Sequence, residues 1–135
     1  MRSISLRRQI GAAGVLVVAS LAAAVPAFGA TTVSESLSNF KITGASSVKA
    51  GRVTFRVKNV VGNPHELVVI RTTTRAAKIK IKNGKAVETG KVAEIEVAGH
   101  KTKSATVTLK KGHYALICNV GDHFMEGMRK DFTVR

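Results

Sequence analysis

The chain has no tryptophan, one tyrosine, one cysteine and two prolines in 135 residues. Each shortage excludes something. With aromatic residues at only 4%, a core must be filled by aliphatic side chains, chiefly valine. A single cysteine cannot form an internal disulfide. Acidic residues are scarce too: 8 Asp and Glu stand against 22 Lys and Arg, a formal charge of +14. That balance favours an acidic partner or an anionic surface. Nucleic acid is the other usual partner of a basic chain, but no aromatic-rich basic strand of the RNA-binding kind is present. There is no internal repeat and no histidine-rich or methionine-rich tract.

The first thirty residues stand apart from the rest. Arg2, Arg7 and Arg8 precede an almost wholly apolar run from Ile10 to Val25, and Ala27-Phe28-Gly29-Ala30 offers small residues for cleavage. This is the pattern of a secretory signal peptide, assigned to residues 1–29. It implies export to a periplasm, cell envelope or extracellular space, and export argues further against nucleic acid. Membrane contact is expected only by association or if the leader stays as an anchor, since the apolar run is near the lower limit for spanning a bilayer. Without the three leader arginines the charge is about +11, still strongly basic. Residues 30–135 are the size of one domain, expected to be monomeric. A lone thiol outside the cytosol is open to oxidation unless it is buried or holds a metal.

The pattern of that domain is β throughout. Arg52–Lys58 and Lys103–Lys110 alternate apolar and polar residues, as strands with one wet face do. Glu66–Ile70 and Tyr114–Cys118 are continuous apolar runs, suited to strands covered on both sides. Phe132–Val134 closes the chain, and Gly44, Gly51, Gly62, Gly99, Gly112 and Gly121 punctuate the runs. Short strands between turns indicate a sandwich or barrel. The stretch from Thr72 to Gly99 is less regular. Lys78–Lys82 alternates, Asn83-Gly84 signals a tight turn, and Lys85–Val87 is placed to pair back. Lysines 78, 80, 82 and 85 are expected on a solvated hairpin face, in the most mobile part of the domain.

The chemistry sits in the last third. Cys118, His123 and Met128 fall at C-x4-H-x4-M spacing, and His65 follows Pro64 at the head of an apolar strand. Two imidazoles, a thiolate and a thioether are the donors of a trigonal copper site with a weak axial sulfur. One donor from a strand start and three from a strand–loop–strand leave the site little freedom, which suits an ion that changes oxidation state. Zinc also accepts Cys and His, but a Cys–His₂–Met set points to copper. Four histidines are too few for the extra centres of a multicopper oxidase. His100 and His113 sit in turn sequences and are expected to be exposed.

These residues, with Leu109–Tyr114 ahead of the cysteine and the closing run Met128–Val134, resemble the cupredoxins. That family comprises the small blue copper proteins of plastocyanin and azurin type, and the resemblance covers roughly residues 33–135. It implies an all-β, Greek-key β-sandwich holding one copper ion through His65, Cys118, His123 and Met128. Met125 is a rival axial donor, but Met128 matches the family's spacing. Phe124, Met125 and Pro64 are expected to form an apolar collar through which the edge of His123 meets solvent. The family has an asparagine after the first histidine that ties the two ligand loops together; here Glu66 stands in that position. The implied function is one-electron transfer between envelope redox partners, such as a cytochrome or a copper oxidase or reductase, acidic at the docking face. No substrate is transformed, so the chain is not expected to be an enzyme. The alternative is copper delivery or storage through the same donors. A module of this fold without metal is disfavoured by the complete donor set.

Overall fold

A computed structural model describes residues 29–135. The leader assigned to residues 1–29 lies outside the described residues apart from Gly29. Strands form where the alternation ends at turn residues: β1 (Thr31–Ser38), β2 (Lys41–Gly44), β3 (Ser47–Val48), β4 (Gly51–Asn59), β5 (His65–Arg71), β6 (Ile81–Lys82), β7 (Lys85–Ala86), β8 (Lys91–Val97), β9 (Thr102–Leu109), β10 (Gly112–Ile117) and β11 (Arg129–Val134). One sheet has the order β2-β1-β4-β9 and the other β3-β11-β10-β5-β8. The chain crosses repeatedly between them, and the two pack as an open sandwich of Greek-key type. Two of the pairings, β1 with β4 and β3 with β11, are parallel; the rest are antiparallel.

The aliphatic core expected from the missing aromatics lies between the sheets. Val33, Leu37, Val53 and Val57 face Leu67, Val69, Leu116 and Val134 across it, with Phe55 and Phe132 in contact at 5.8 Å. Burying a side chain of this size contributes roughly 2–3 kcal/mol. A second apolar cluster lies on the far side of β5 and β10, made by Val68, Ile70, Ala115, Ile117, Ala76, Ala86 and Phe124. Those two strands are therefore packed on both faces, and this is why their sequences are continuous apolar runs rather than alternating ones.

The cover over that second face is the irregular middle of the chain. The strand expected over Lys78–Lys82 is shorter, because Ala76–Lys78 forms a 3₁₀ turn that puts Ala76 into the second cluster, with its amide N–H bonded to Asp131 at 2.8 Å. Only Ile81–Lys82 remains to pair with Lys85–Ala86. Asn83 (φ 51°) and Gly84 (φ 73°) are both left-handed, as a two-residue hairpin turn requires. Strand β8 was not foreseen, although Lys91–Val97 alternates; it extends the second sheet beyond β5.

Candidate metal centre

His65 is placed by its loop. Asn59, fully buried at the end of β4, donates to the carbonyls of Asn63 (2.7 Å) and Val97 (3.1 Å) and accepts from the Val61 amide. A side chain at Gly99 would collide with the Gly62 carbonyl, so the two neighbouring loops meet there only because residue 99 is glycine. Pro64 then leads the chain into β5, with His65 as its first residue.

Cys118 follows β10, and the loop from there to β11 closes on itself. The Cys118 amide donates to the Met128 carbonyl (3.0 Å), the Met128 amide to His123 (2.9 Å), and the His123 amide to Val120 (3.0 Å). The regular spacing of cysteine, histidine and methionine is thus a bracketed loop whose ends are bonded across. Cys118, Met128 and His65 are buried and His123 is half-buried.

Three donor atoms converge. His65 Nδ1 lies 3.1 Å from His123 Nδ1 and 3.7 Å from Cys118 Sγ; His123 Nδ1 lies 3.5 Å from Cys118 Sγ. A triangle of that size has its centre roughly 2 Å from each corner, the length of a first-row metal bond to imidazole or thiolate. The donor set therefore fits a transition ion. Met128 belongs to the same buried cluster as Cys118, whereas Met125 is 46% exposed.

Neighbouring groups fix the donors. His65 Nε2 meets Asn39 Oδ1 at 3.1 Å. An N–H donated there leaves the Nδ1 lone pair facing the centre, the usual means by which a protein sets a ligand histidine's tautomer. Glu66 does what the family's asparagine does: its carboxylate accepts from the Asn119 amide at 2.9 Å, and its own amide points at the Cys118 sulfur at 3.5 Å. The two ligand loops are tied by a different side chain at the same position. Burial pushes the Cys118 thiol up and, with His123 close by, pushes the His65 imidazolium down. Burial also raises the Glu66 carboxyl, against the pull of the Asn119 amide. The pocket thus disfavours a lone charge, and a bound cation would stabilise the thiolate.

Three expectations need correction. Phe124 is buried under the second sheet with the Arg129 guanidinium 5.1 Å from its ring centre, because the loop turns it inward. The aromatic beside His123 is Phe40, from the β1–β2 turn, at 5.1 Å and 39% exposed. Phe40 thus takes the place expected of Phe124, while Pro64, next to His65, and Met125, two residues after His123, are exposed. His113 is half-buried on β10, bonded to the Thr72 carbonyl (2.7 Å) and Asp131 (2.9 Å), whereas His100 is exposed as expected. Lys85 is not simply solvated: its ammonium donates to the carbonyls of Asn119 (2.8 Å) and Gly121 (2.6 Å). The Asn119 side chain bonds both backbone groups of Ala86, so the hairpin is fastened to the cysteine loop at two points. Asn39, Asn59 and Asn119 carried no signal in the sequence beyond lying near turns.

No family model and no curated protein matches the chain. Solved structures do. Auracyanin from Roseiflexus castenholzii is 20% identical, with a TM-score of 0.56 over 79% of this chain and 99% of that one. Auracyanin A from Chloroflexus aurantiacus, described as a "blue" copper protein, is also 20% identical, with a TM-score of 0.59 over 79% and 100%. Rusticyanin from Thiobacillus ferrooxidans is 16% identical, with a TM-score of 0.62 over 80% and 79%. At such identities the likeness is one of fold, and the fold of this chain is that of the cupredoxins.

Proposed function

We propose that the protein is an exported mononuclear copper protein that carries single electrons between redox partners. One observation carries the reading: a cysteine sulfur and two imidazole nitrogens, from loops 53 residues apart, converge on a triangle of 3.1, 3.5 and 3.7 Å. When bound, copper supplies a one-electron couple between its Cu(I) and Cu(II) states. His65, Cys118 and His123 would hold it, with Met128 as a further, weaker sulfur donor. The protein's own work is to keep these atoms still. Asn39 orients the His65 ring, Glu66 bonds the cysteine loop, and backbone bonds close the loop from Cys118 to Met128. Fewer displaced atoms mean a lower barrier to losing or gaining the electron.

Copper is proposed to communicate with a partner through the half-buried His123 edge. Phe40, Pro64 and Met125 around it make a small apolar rim, suited to a weak and transient contact. The partner is a redox protein with an acidic docking face, which the basic chain would attract. Export rests on the leader-like pattern of residues 1–29. A delivery or storage role fits less well, since such a site gains from donors that a partner can reach and Cys118 is fully buried.

The purified protein loaded with Cu(II) should show an intense visible thiolate-to-copper band. Cys118→Ser should abolish the band while the far-ultraviolet β signal persists; an undiminished band in that variant overturns the assignment. A protein that binds only Cu(I), with no such band, would be a delivery site. Met128→Leu should raise the reduction potential by removing a donor that favours Cu(II), and Met125→Leu should shift it little. The reverse pattern would move the methionine donor's role to Met125.

A further inference from the structure

The outer face of the β2-β1-β4-β9 sheet has an unusual composition. β4 presents Arg52, Thr54, Arg56 and Lys58 outward, since Val53, Phe55 and Val57 point into the core. β2 adds Lys41. Every other outward position along β1, β2 and β9 is a serine or threonine, as the register shows: Ser34 beside Arg56 beside Ser104, Ser36 beside Lys58 beside Thr102. Among the described residues, no acid and no apolar side chain of these four strands points from this face. The acids of the domain lie elsewhere. Glu35 is buried between the sheets, paired with Lys130. Glu66, Glu94 and Glu96 cluster on β5 and β8. The remaining four are on the loop before β8, the cysteine loop and β11.

We propose that this face is a docking surface for an anionic phospholipid bilayer. A protein partner would want an apolar, aromatic centre to the contact, and the face has none. It offers instead a platform roughly 25 Å by 15 Å, with cations about 7 Å apart at Arg56 and Lys58 and hydroxyls between them to bond phosphate oxygens. The chain outside the structure points the same way. The apolar run Ile10–Val25 is joined to this sheet at Thr31 by residues 26–30, a link that reaches at most about 17 Å. While that run is retained and held in a membrane, Thr31 is within that reach of it. The candidate metal centre lies at the Asn59 end of the sandwich, away from Thr31, because β1 and β4 run parallel with Thr31 opposite Val53 and Leu37 opposite Asn59. With the sheet flat on lipid, the His123 rim faces along the membrane plane, open to a partner held in the same membrane. The surface does not depend on what the metal centre does.

The test is a lysine footprint of the protein after removal of residues 1–29, so that the apolar run cannot hold it on either kind of vesicle. The protein is acylated with a water-soluble ester in the presence of phosphatidylcholine vesicles, with or without phosphatidylglycerol, and each lysine's rate is read by mass spectrometry. Acylation of Lys41 and Lys58 should slow about five-fold or more on the anionic vesicles, revert at 0.5 M salt, and stay fast on neutral ones. Lys78 and Lys80, on the opposite sheet's cover, should be unaffected. Arg52→Ser with Arg56→Ser, both exposed and outside the core, should abolish the protection. The proposal is overturned if Lys41 and Lys58 stay reactive, if neutral vesicles protect them equally, or if the hairpin lysines are protected instead. It is also overturned if linear polyphosphate protects the face and vesicles do not.

Discussion

Among the described residues, the first sheet leaves its outer face open along the length of β1, β4 and β9, whereas β5 and β10 in the second sheet are roofed by the β6–β7 hairpin, the 3₁₀ turn and Phe124. The donors are not shared evenly between the two. β5 begins with His65 and β10 runs into Cys118. Strands packed on both sides cannot shift without opening a cavity, so the donors are attached to the least deformable part of the molecule. The open sheet contributes at its end, through the Asn39-Phe40 turn beside the two histidines and through Asn59 of β4, which holds the loop before His65. The roof stiffens the site, and the bare face is left free for contact with something else.

If the roof is part of the cooperative core, removing its aromatic should cost as much as removing one from the sandwich interior. Phe124→Ala should destabilise the protein by about 3 kcal/mol, read as a lower urea midpoint with an unchanged slope. Thr106→Ala, on the open face and bonded only to Thr54 at the surface, should stay within about 0.5 kcal/mol. Equal effects would erase the distinction between the two faces.

That distinction was visible in the sequence, since alternation marked β4 and β9 and unbroken apolar runs marked β5 and β10. Asn83-Gly84 announced the hairpin, and C-x4-H-x4-M gathered three residues of the candidate site. What escaped is of one kind. Periodicity reports which side of a strand is buried; it does not report which distant loop lands on it. Asn39 reaches His65 across 26 residues, and Glu66 reaches Asn119 across 53. Phe124 follows His123 in sequence, yet the bonds from Glu126 to Asp122 and from Gly127 to Phe124 coil the loop and turn that ring inward. Phe40 took the rim position from a turn that nothing local distinguishes from any other.

The contribution of the open sheet can be tested at Asn39. Asn39→Leu removes the acceptor for the His65 Nε2–H and leaves the ring free to choose its other tautomer. Copper affinity, by competition with a chelator, should fall about ten-fold. Asn39→Asp, which keeps an acceptor in place, should restore most of it. The apoprotein's urea midpoint should hardly change, because residue 39 is exposed. Undiminished affinity in Asn39→Leu would mean that packing alone orients the ring and that the Asn39 turn plays no part in the centre.

The smallest effect expected is at the seam between roof and site. Lys85 spends its ammonium on two carbonyls of the cysteine loop, Asn119 and Gly121. Lys85→Met keeps the length of the side chain and loses both bonds. The side chain lies at the surface, where water competes for the same groups, so the net loss is about 1 kcal/mol. It should appear locally: amide hydrogen exchange across residues 119–123 should quicken about five-fold while the global midpoint barely moves. Lys82→Met, one strand away on the same hairpin and exposed, is the control and should leave exchange unaltered. If Lys85→Met is equally silent, the loop is held by the Asn119 side chain alone, through its bonds to both backbone groups of Ala86. The roof would then stiffen the site through a single asparagine, and the charge on Lys85 would be available for an acidic partner instead.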